Sequence, residues 1–299
     1  MSLLWRDAFT PAAAYTAVVA PQRVLLVRRR RFGGRGGAAD LQLDAPWVGT
    51  PVAAAQALAQ LLQGPQVGAG TLQILVSSHF VRYLLVPWRA EVATPEEFAA
   101  YARICCEQTF GGVGSGAGTG TGEGSGAEVG AGQSLRTAPE KPGSPRLAAA
   151  MDTALVQALV QAVGATRLRL VGVQPYLAAA FNRLSRQMPR EDFIFVVAEP
   201  GRSCLLAASQ GQWRSVRASA CEDAPERIAG LIEREAQLLG LAEDEMPPVF
   251  VHAPRQPGQA LPACHGRVPA TLDLPGPRAL AAAFAQPADA LRTMALAGA

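Results

Sequence analysis

Between Phe193 and Val216 short apolar runs are parted by tight polar turns: Phe193 to Val197, then Glu199-Pro200-Gly201-Arg202, then Cys204 to Ala208, then Gln210-Gly211, then Trp213 to Val216. β-prone runs separated in this way predict a three-stranded antiparallel meander. A second meander is expected near the start, where Ala17 to Ala20, Pro21-Gln22 and Arg23 to Arg30 read as β-turn-β, followed by Gly-rich Phe32 to Gly37 and a short candidate strand, Leu41 to Leu43. Each meander leads into a segment with helical spacing. Pro51 to Gln63 places Val52, Ala55, Leu58, Ala59 and Leu62 on one face, with Thr50 as cap, Pro51 at the first helical position and Gly64 as stop. Pro225 to Leu239 does the same with Ile228, Leu231, Ile232 and Leu239. An apolar strand follows each helix, Thr71 onward in one case and Pro248 to His252 in the other, so the chain reads as two copies of one α/β unit.

The stretch between the copies carries more elements. Thr71 to Trp88 predicts two strands joined at Ser77-Ser78-His79, and their apolar residues on both faces place them centrally. Thr94-Pro95-Glu96-Glu97 is a cap, a proline at the first helical position and an acidic first turn, opening a helix to about Phe110 that buries Phe98, Ala102 and Cys105. Residues 111–145 are dominated by Gly, Ser, Thr and Ala and have little to bury, which predicts a flexible insertion with one strand candidate, Ser134 to Thr137. Leu147, Met151, Ala154, Leu155, Ala158, Leu159 and Ala162 then predict a helix over Arg146 to Val163. Leu168 to Val173 is the next strand and Pro175 opens a helix Tyr176 to Arg186. The tail holds a strand candidate, Ala270 to Leu274, and an Ala-rich helix candidate, Arg278 to Ala285.

Composition narrows the function. Of 299 residues, 49% are hydrophobic and 17% charged, which suits two domains that each bury a core. The apolar runs are shorter than the roughly 20 residues a membrane span needs, and Arg6 and Asp7 interrupt the first of them, so neither a span nor a secretory leader is expected. Five scattered cysteines fit a reducing compartment. A net charge of +3 gives no case for nucleic acid, and the dense cluster Arg28 to Arg31 reads as a solvated hairpin tip rather than an anion contact. Ser77, Ser78 and His79 lack the GxSxG elbow of a serine hydrolase, Cys105-Cys106 lack zinc-knuckle spacing, and Lys141 is followed by Pro142 instead of the Ser or Thr of a P-loop. The three histidines, His79, His252 and His265, read as hydrogen-bonded structural residues.

Strand-strand-strand-helix-strand-helix given twice resembles the actin-like ATPase fold, an α/β fold of two ribonuclease-H-like, mixed-sheet halves around a nucleotide cleft. The stretch Met151 to Leu184 followed by FVVAEPGRSCLLAASQGQW is similar to PilM-type pilus assembly proteins, to the cytoplasmic parts of GspL-type secretion proteins and to MshI-like proteins. SSHFVRYLLVPW with TPEEFAAYAR looks like a GspL-type strand ending in proline-tryptophan before a helix. The resemblance implies halves at 1–187, with the Gly-rich insertion 111–145, and at 188–299. It also implies a phosphate-binding turn between the first two strands of each half, built on Asp-x-Gly. Here the first turn, Val19-Ala20-Pro21-Gln22-Arg23, has neither residue, and Pro21 lacks an N–H. The second keeps Glu199, Gly201, Arg202 and Ser203 as a vestigial phosphate turn and loses a donor at Pro200. The expectation is therefore a non-catalytic scaffold in a type IV pilus or type II secretion-like assembly, without cofactor or metal. It would bind the short cytoplasmic tail of an inner-membrane partner through a groove or sheet edge of the first half, at the cytoplasmic face of the bacterial inner membrane. The alternative is an ATP- and magnesium-dependent phosphotransfer enzyme of the same superfamily.

Overall fold

The computed structural model describes residues 13–29, 41–111, 132–274 and 289–298. Arg30 to Gly37, residues 112–131 and the helix expected at Arg278 to Ala285 lie outside the described residues.

The first meander is β1 (Ala13–Ala20), β2 (Arg23–Arg29) and β3 (Gln42–Pro46), followed by α1 (Pro51–Leu62) and β4 (Gly70–Val76). The second is β9 (Phe193–Glu199), β10 (Arg202–Ser209) and β11 (Gln212–Ala220), followed by α5 (Pro225–Leu238) and β12 (Val249–His252). Two further strands, β8 (Leu168–Pro175) and the short β13 (Ala270–Thr271), complete two five-stranded sheets ordered β3-β2-β1-β4-β8 and β11-β10-β9-β12-β13. The strand order is the same in both. Within each, the meander pairs antiparallel and the last two strands join in parallel, β1 to β4 to β8 and β9 to β12 to β13.

Strand β9 shows how the pattern of residues builds the core. All seven of its residues are buried, and because side chains alternate in a strand it supplies two different cores. Ile194, Val196 and Ala198 meet Ile228, Ile232 and Ala236 of α5. Phe193, Phe195 and Val197 join a larger cluster that includes Val18, Leu25 and Leu75 of the first sheet and Leu177 of α4 (Tyr176–Leu184). One hydrophobic cluster thus runs through both halves. A C-terminal helix, α6 (Ala290–Ala295), returns to the first sheet, placing Met294 in the same cluster.

Between β4 and β8 the chain inserts β5 (Val81–Val86), α2 (Pro95–Phe110), β6 (Gln133–Thr137), β7 (Arg146–Asp152) and α3 (Thr153–Gly164). A separate antiparallel sheet, β5-β7-β6, packs Leu84, Val86, Ala148 and Ala150 against Ala102 and Cys106 of α2. Thr94 and Glu97 form the expected capping box, with Thr94 N donating to Glu97 Oε2 at 2.9 Å and Glu97 N to Thr94 Oγ1 at 3.2 Å.

Three expectations need correction. Arg146–Asp152 is a strand, because pairing with both β5 and β6 overrides the helix preference of its alanines. The helix starts only at Thr153, where the Asp152 carboxylate caps Ala154 N at 2.7 Å. On α2 the fully buried thiol is Cys106, while Cys105 is only half-buried. The end of the Gly-rich insertion is also structured: β6 is a true strand, Ser144 is buried, and Trp213 Nε1 donates to Glu140 at 2.8 Å.

Candidate functional site

The two meander turns share a backbone design. Ala20-Pro21-Gln22-Arg23 and Glu199-Pro200-Gly201-Arg202 each have proline second, which fixes φ near −65°, and a residue of positive φ third, Gln22 at 63° and Gly201 at 75°. That is the signature of a type II turn. The sequence signal for the equivalence is the repeated Pro-x-Arg.

Around the first turn, Trp47 Nε1 donates to Ala20 O at 3.0 Å and Trp47 N to Gln22 O at 2.9 Å. Arg23 donates to Asp44 at 2.6 Å and to both oxygens of Asp289 at 2.9 and 3.2 Å, so the turn is tied to β3 and to the start of α6. Both carboxylates hold the guanidinium pKa above its ordinary value, the hydrogen bond Arg23 gives to Asp44 foremost.

The second turn faces inward. Glu199 is buried, with one carboxylate oxygen accepting from the Ser77 hydroxyl and the other from Ser78 N at 3.0 Å. Ser77 directly follows β4, its own N–H donating to Val19 O at 2.9 Å, and caps the short turn Ser78–Phe80 that leads into β5. That short turn contacts the second meander turn and the tryptophan that caps the first. His79 Nε2 lies 2.9 Å from Pro200 O, and since a carbonyl only accepts, Nε2 carries the proton. Phe80 packs on Trp47 with ring centroids 5.9 Å apart. Ser78 Oγ lies 3.3 Å from Tyr83 Oη of β5.

Burial disfavours the charged forms of this cluster. It pushes the Glu199 carboxyl above its ordinary value, with Ser77 and Ser78 pulling it partly back. It holds the Tyr83 phenol well above its usual range, and it pushes the Cys204 thiol up to about 12, with the Glu199 charge adding to the effect. Of the other turn residues, Gly201 is exposed, Arg202 is half-buried beside Tyr83 and Cys204, and Ser203 is fully buried.

Glu199 and the two prolines are poorly placed for a magnesium-bound nucleotide, whereas Arg202 Nε and Ser203 Oγ are buried without a hydrogen-bond partner among the described residues. A carboxylate serving a hydrated cation must present free oxygens to it, and both oxygens of Glu199 are taken by Ser77 and Ser78 inside the fold. Phosphate needs a row of free N–H groups, and proline sits at the second position of both turns. Among the described residues no group of three or more His, Cys, Asp or Glu is arranged to hold a metal ion. His79 is not paired with the Ser77 hydroxyl: its Nε2 is engaged with Pro200 O while Ser77 donates to Glu199, so no Ser–His pair is formed.

His252, expected to be structural, is a buried link between elements. Its Nδ1 donates to Leu272 O at 2.8 Å and its Nε2 accepts from Tyr176 Oη at 2.7 Å, joining β12 to α4. Burial lowers its pKa below the ordinary value and keeps it neutral. The partnership of Glu199 with Ser77 and of Trp47 with the first turn had no local sequence signal.

The sequence matches no protein-family model and no curated protein. Solved structures share its fold. The cytoplasmic domain of EpsL, an inner-membrane component of the type II secretion system of Vibrio cholerae, aligns over 95% of this chain and 93% of that one, with 10% identity and a TM-score of 0.52. The PilM–PilN type IV pilus biogenesis complex contains a chain aligning over 80% of each, with 14% identity and a TM-score of 0.50. A Bacteroides thetaiotaomicron protein with an actin-like ATPase fold and unknown function covers 83% of this chain and 84% of its own, with 7% identity and a TM-score of 0.50. The chain has the actin-like ATPase fold, an α/β arrangement with two mixed sheets. Among the described residues no helix is long and apolar enough to cross a membrane.

Proposed function

We propose that this chain is a non-catalytic adaptor of a type IV pilus or type II secretion-like assembly, holding the cytoplasmic tail of an inner-membrane protein at the cytoplasmic face of the membrane. The observation that carries the proposal is the fate of Glu199. The carboxylate placed where an actin-like ATPase would serve a metal is instead buried and used to fasten the second meander turn to Ser77 and Ser78. A turn used in this way ties the second meander to the end of β4 and keeps its carboxylate away from solvent. Likeness to an EpsL cytoplasmic domain and to a PilM bound to PilN supports the choice of assembly.

An adaptor needs a binding surface, and an extended tail adding to a sheet edge would gain main-chain hydrogen bonds. The test is fluorescence anisotropy with peptides copied from the cytoplasmic tails of pilus or secretion membrane proteins encoded beside this chain. Saturable binding with a Kd near 1 μM, about 8 kcal/mol, is expected for one of them. The absence of binding to every such peptide would overturn the proposal.

A further inference from the structure

A small pocket of about 180 Å³ lies where the inserted sheet meets the second half. Three rings wall it: Phe181 of α4, Phe193 of β9 and Trp213 of β11. Phe181 lies 6.0 Å from Phe193 and 5.2 Å from Trp213, and Phe193 meets Trp213 edge-on at 6.1 Å and 87°. Phe193 is buried, whereas Phe181 and Trp213 are partly buried and keep some surface at the pocket. Glu140, from the loop before β7, stands at the same pocket and accepts from Trp213 Nε1 at 2.8 Å.

This combination selects a ligand by charge. Ring faces are negative and attract cations. Glu140 adds a full negative charge, and among the described residues it has no ion-pair partner. A neutral apolar group would leave that charge unmatched in a partly desolvated site, and an anion would be repelled by carboxylate and rings alike. Arg190 also lines the pocket, yet its guanidinium lies over none of the three rings. It is a competing charge at the rim rather than the occupant.

We infer that the Phe181–Phe193–Trp213 pocket with Glu140 is a binding site for the cationic end of a lysine or arginine side chain on a partner polypeptide. The source of that side chain rests on the adaptor reading, and membrane proteins carry an excess of lysine and arginine in the cytoplasmic segments flanking their spans. The site also explains why the inserted sheet is fastened to the second half through Trp213 and Glu140, since neither side alone supplies both rings and carboxylate.

The experiment uses the full chain and follows its indole N–H signals by NMR, the Trp213 signal being identified by its loss in Trp213→Phe. The probes are n-butylguanidinium and n-butylammonium, with neutral n-butylurea as the control. A saturable shift of the Trp213 signal is expected with the cations and none with the urea. Glu140→Gln keeps an acceptor for the indole and should weaken cation binding about 5-fold or more, while Arg190→Gln should tighten it about 2-fold. No saturable shift, an equal response to the urea, or weaker binding in Arg190→Gln would overturn the inference.

A second arm uses whichever tail peptide binds, comparing it with a copy in which lysine is replaced by norleucine and arginine by citrulline. Unchanged affinity would overturn the assignment of the occupant to the tail. Tail binding without any response to the cations would sink the pocket and leave the adaptor. Cation binding that depends on Glu140, with no tail peptide bound, would sink the adaptor and leave the cation site.

Discussion

The turns Ala20-Pro21-Gln22-Arg23 and Glu199-Pro200-Gly201-Arg202 occupy equivalent places in two sheets of the same strand order, and they differ most in their first residue. Ala20 offers only its carbonyl, which Trp47 caps, and the arginine three residues on makes ion pairs with Asp44 and Asp289. Glu199 offers a carboxylate, and it points inward to Ser77 and Ser78, while Arg202 has no ion pair among the described residues. The same backbone is therefore anchored by ion pairs at the surface in one half and by a buried hydrogen-bond cluster in the other. The arginine of the first turn and the carboxylate of the second are thus both engaged with neighbouring elements. The segment Ser77 to Phe80 reaches the second turn directly through His79 and the first through Trp47, which caps it.

The comparison breaks most severely if the halves do not share a core. Phe195 is fully buried in the cluster that also holds Leu25 and Leu75, so Phe195→Ala should cost about 3 to 5 kcal/mol through lost burial and a cavity. Denaturant unfolding should show one transition lowered as a whole. Two separate transitions, with only one of them moved, would mean that the halves are independent.

Next in size is the second turn's carboxylate. Glu199→Ala strands the Ser77 hydroxyl and the Ser78 N–H and should cost about 2 to 4 kcal/mol, whereas Glu199→Gln, which keeps polar atoms in place, should cost less. The pH dependence sharpens the test. A carboxyl whose folded pKa is raised contributes stability that is complete below the ordinary carboxylate pKa and is lost as pH rises through the folded value. Glu199→Gln should therefore gain on the parent as pH rises across that window, as read from melting temperatures. A gain at acid pH instead would mean that Glu199 is held ionised.

His252 gives the opposite sign. Its folded pKa is depressed, so its contribution is present above about 6.5 and is lost as pH falls through the folded value. His252→Gln should flatten the loss of stability below neutrality, and an unchanged slope would place the acid sensitivity elsewhere. The smallest effects belong to the third turn residue. Gln22→Gly should stabilise by less than about 1 kcal/mol by relieving a left-handed φ, and Gly201→Gln should destabilise by about 1 kcal/mol for the same reason. Thermal melts of the two variants should shift in opposite directions, and shifts of the same sign would deny the equivalence of the turns.

The duplication was readable because it is local: apolar runs, prolines and caps mark the meanders, and α1, α2 and α5 start at or beside their expected caps. What escaped depends on distant partners. Leu147 to Met151 has the composition of a helix and becomes a strand only because β5 and β6 flank it. Glu199 was picked out as a turn residue, but its inward direction is set by Ser77, 122 positions away in sequence. The Glu140 contact with Trp213 lay in a segment whose composition argued for no packing at all.

Calorimetric titration of the intact chain with ATP, ADP and a non-hydrolysable ATP analogue in the presence of magnesium tests the central claim, that both turns are used for structure and neither for nucleotide. The account predicts no magnesium-dependent affinity tighter than about 1 mM, equivalent to about 4 kcal/mol, and no hydrolysis above background. Micromolar, magnesium-dependent binding that disappears in Arg202→Ala or Glu199→Gln would contradict it.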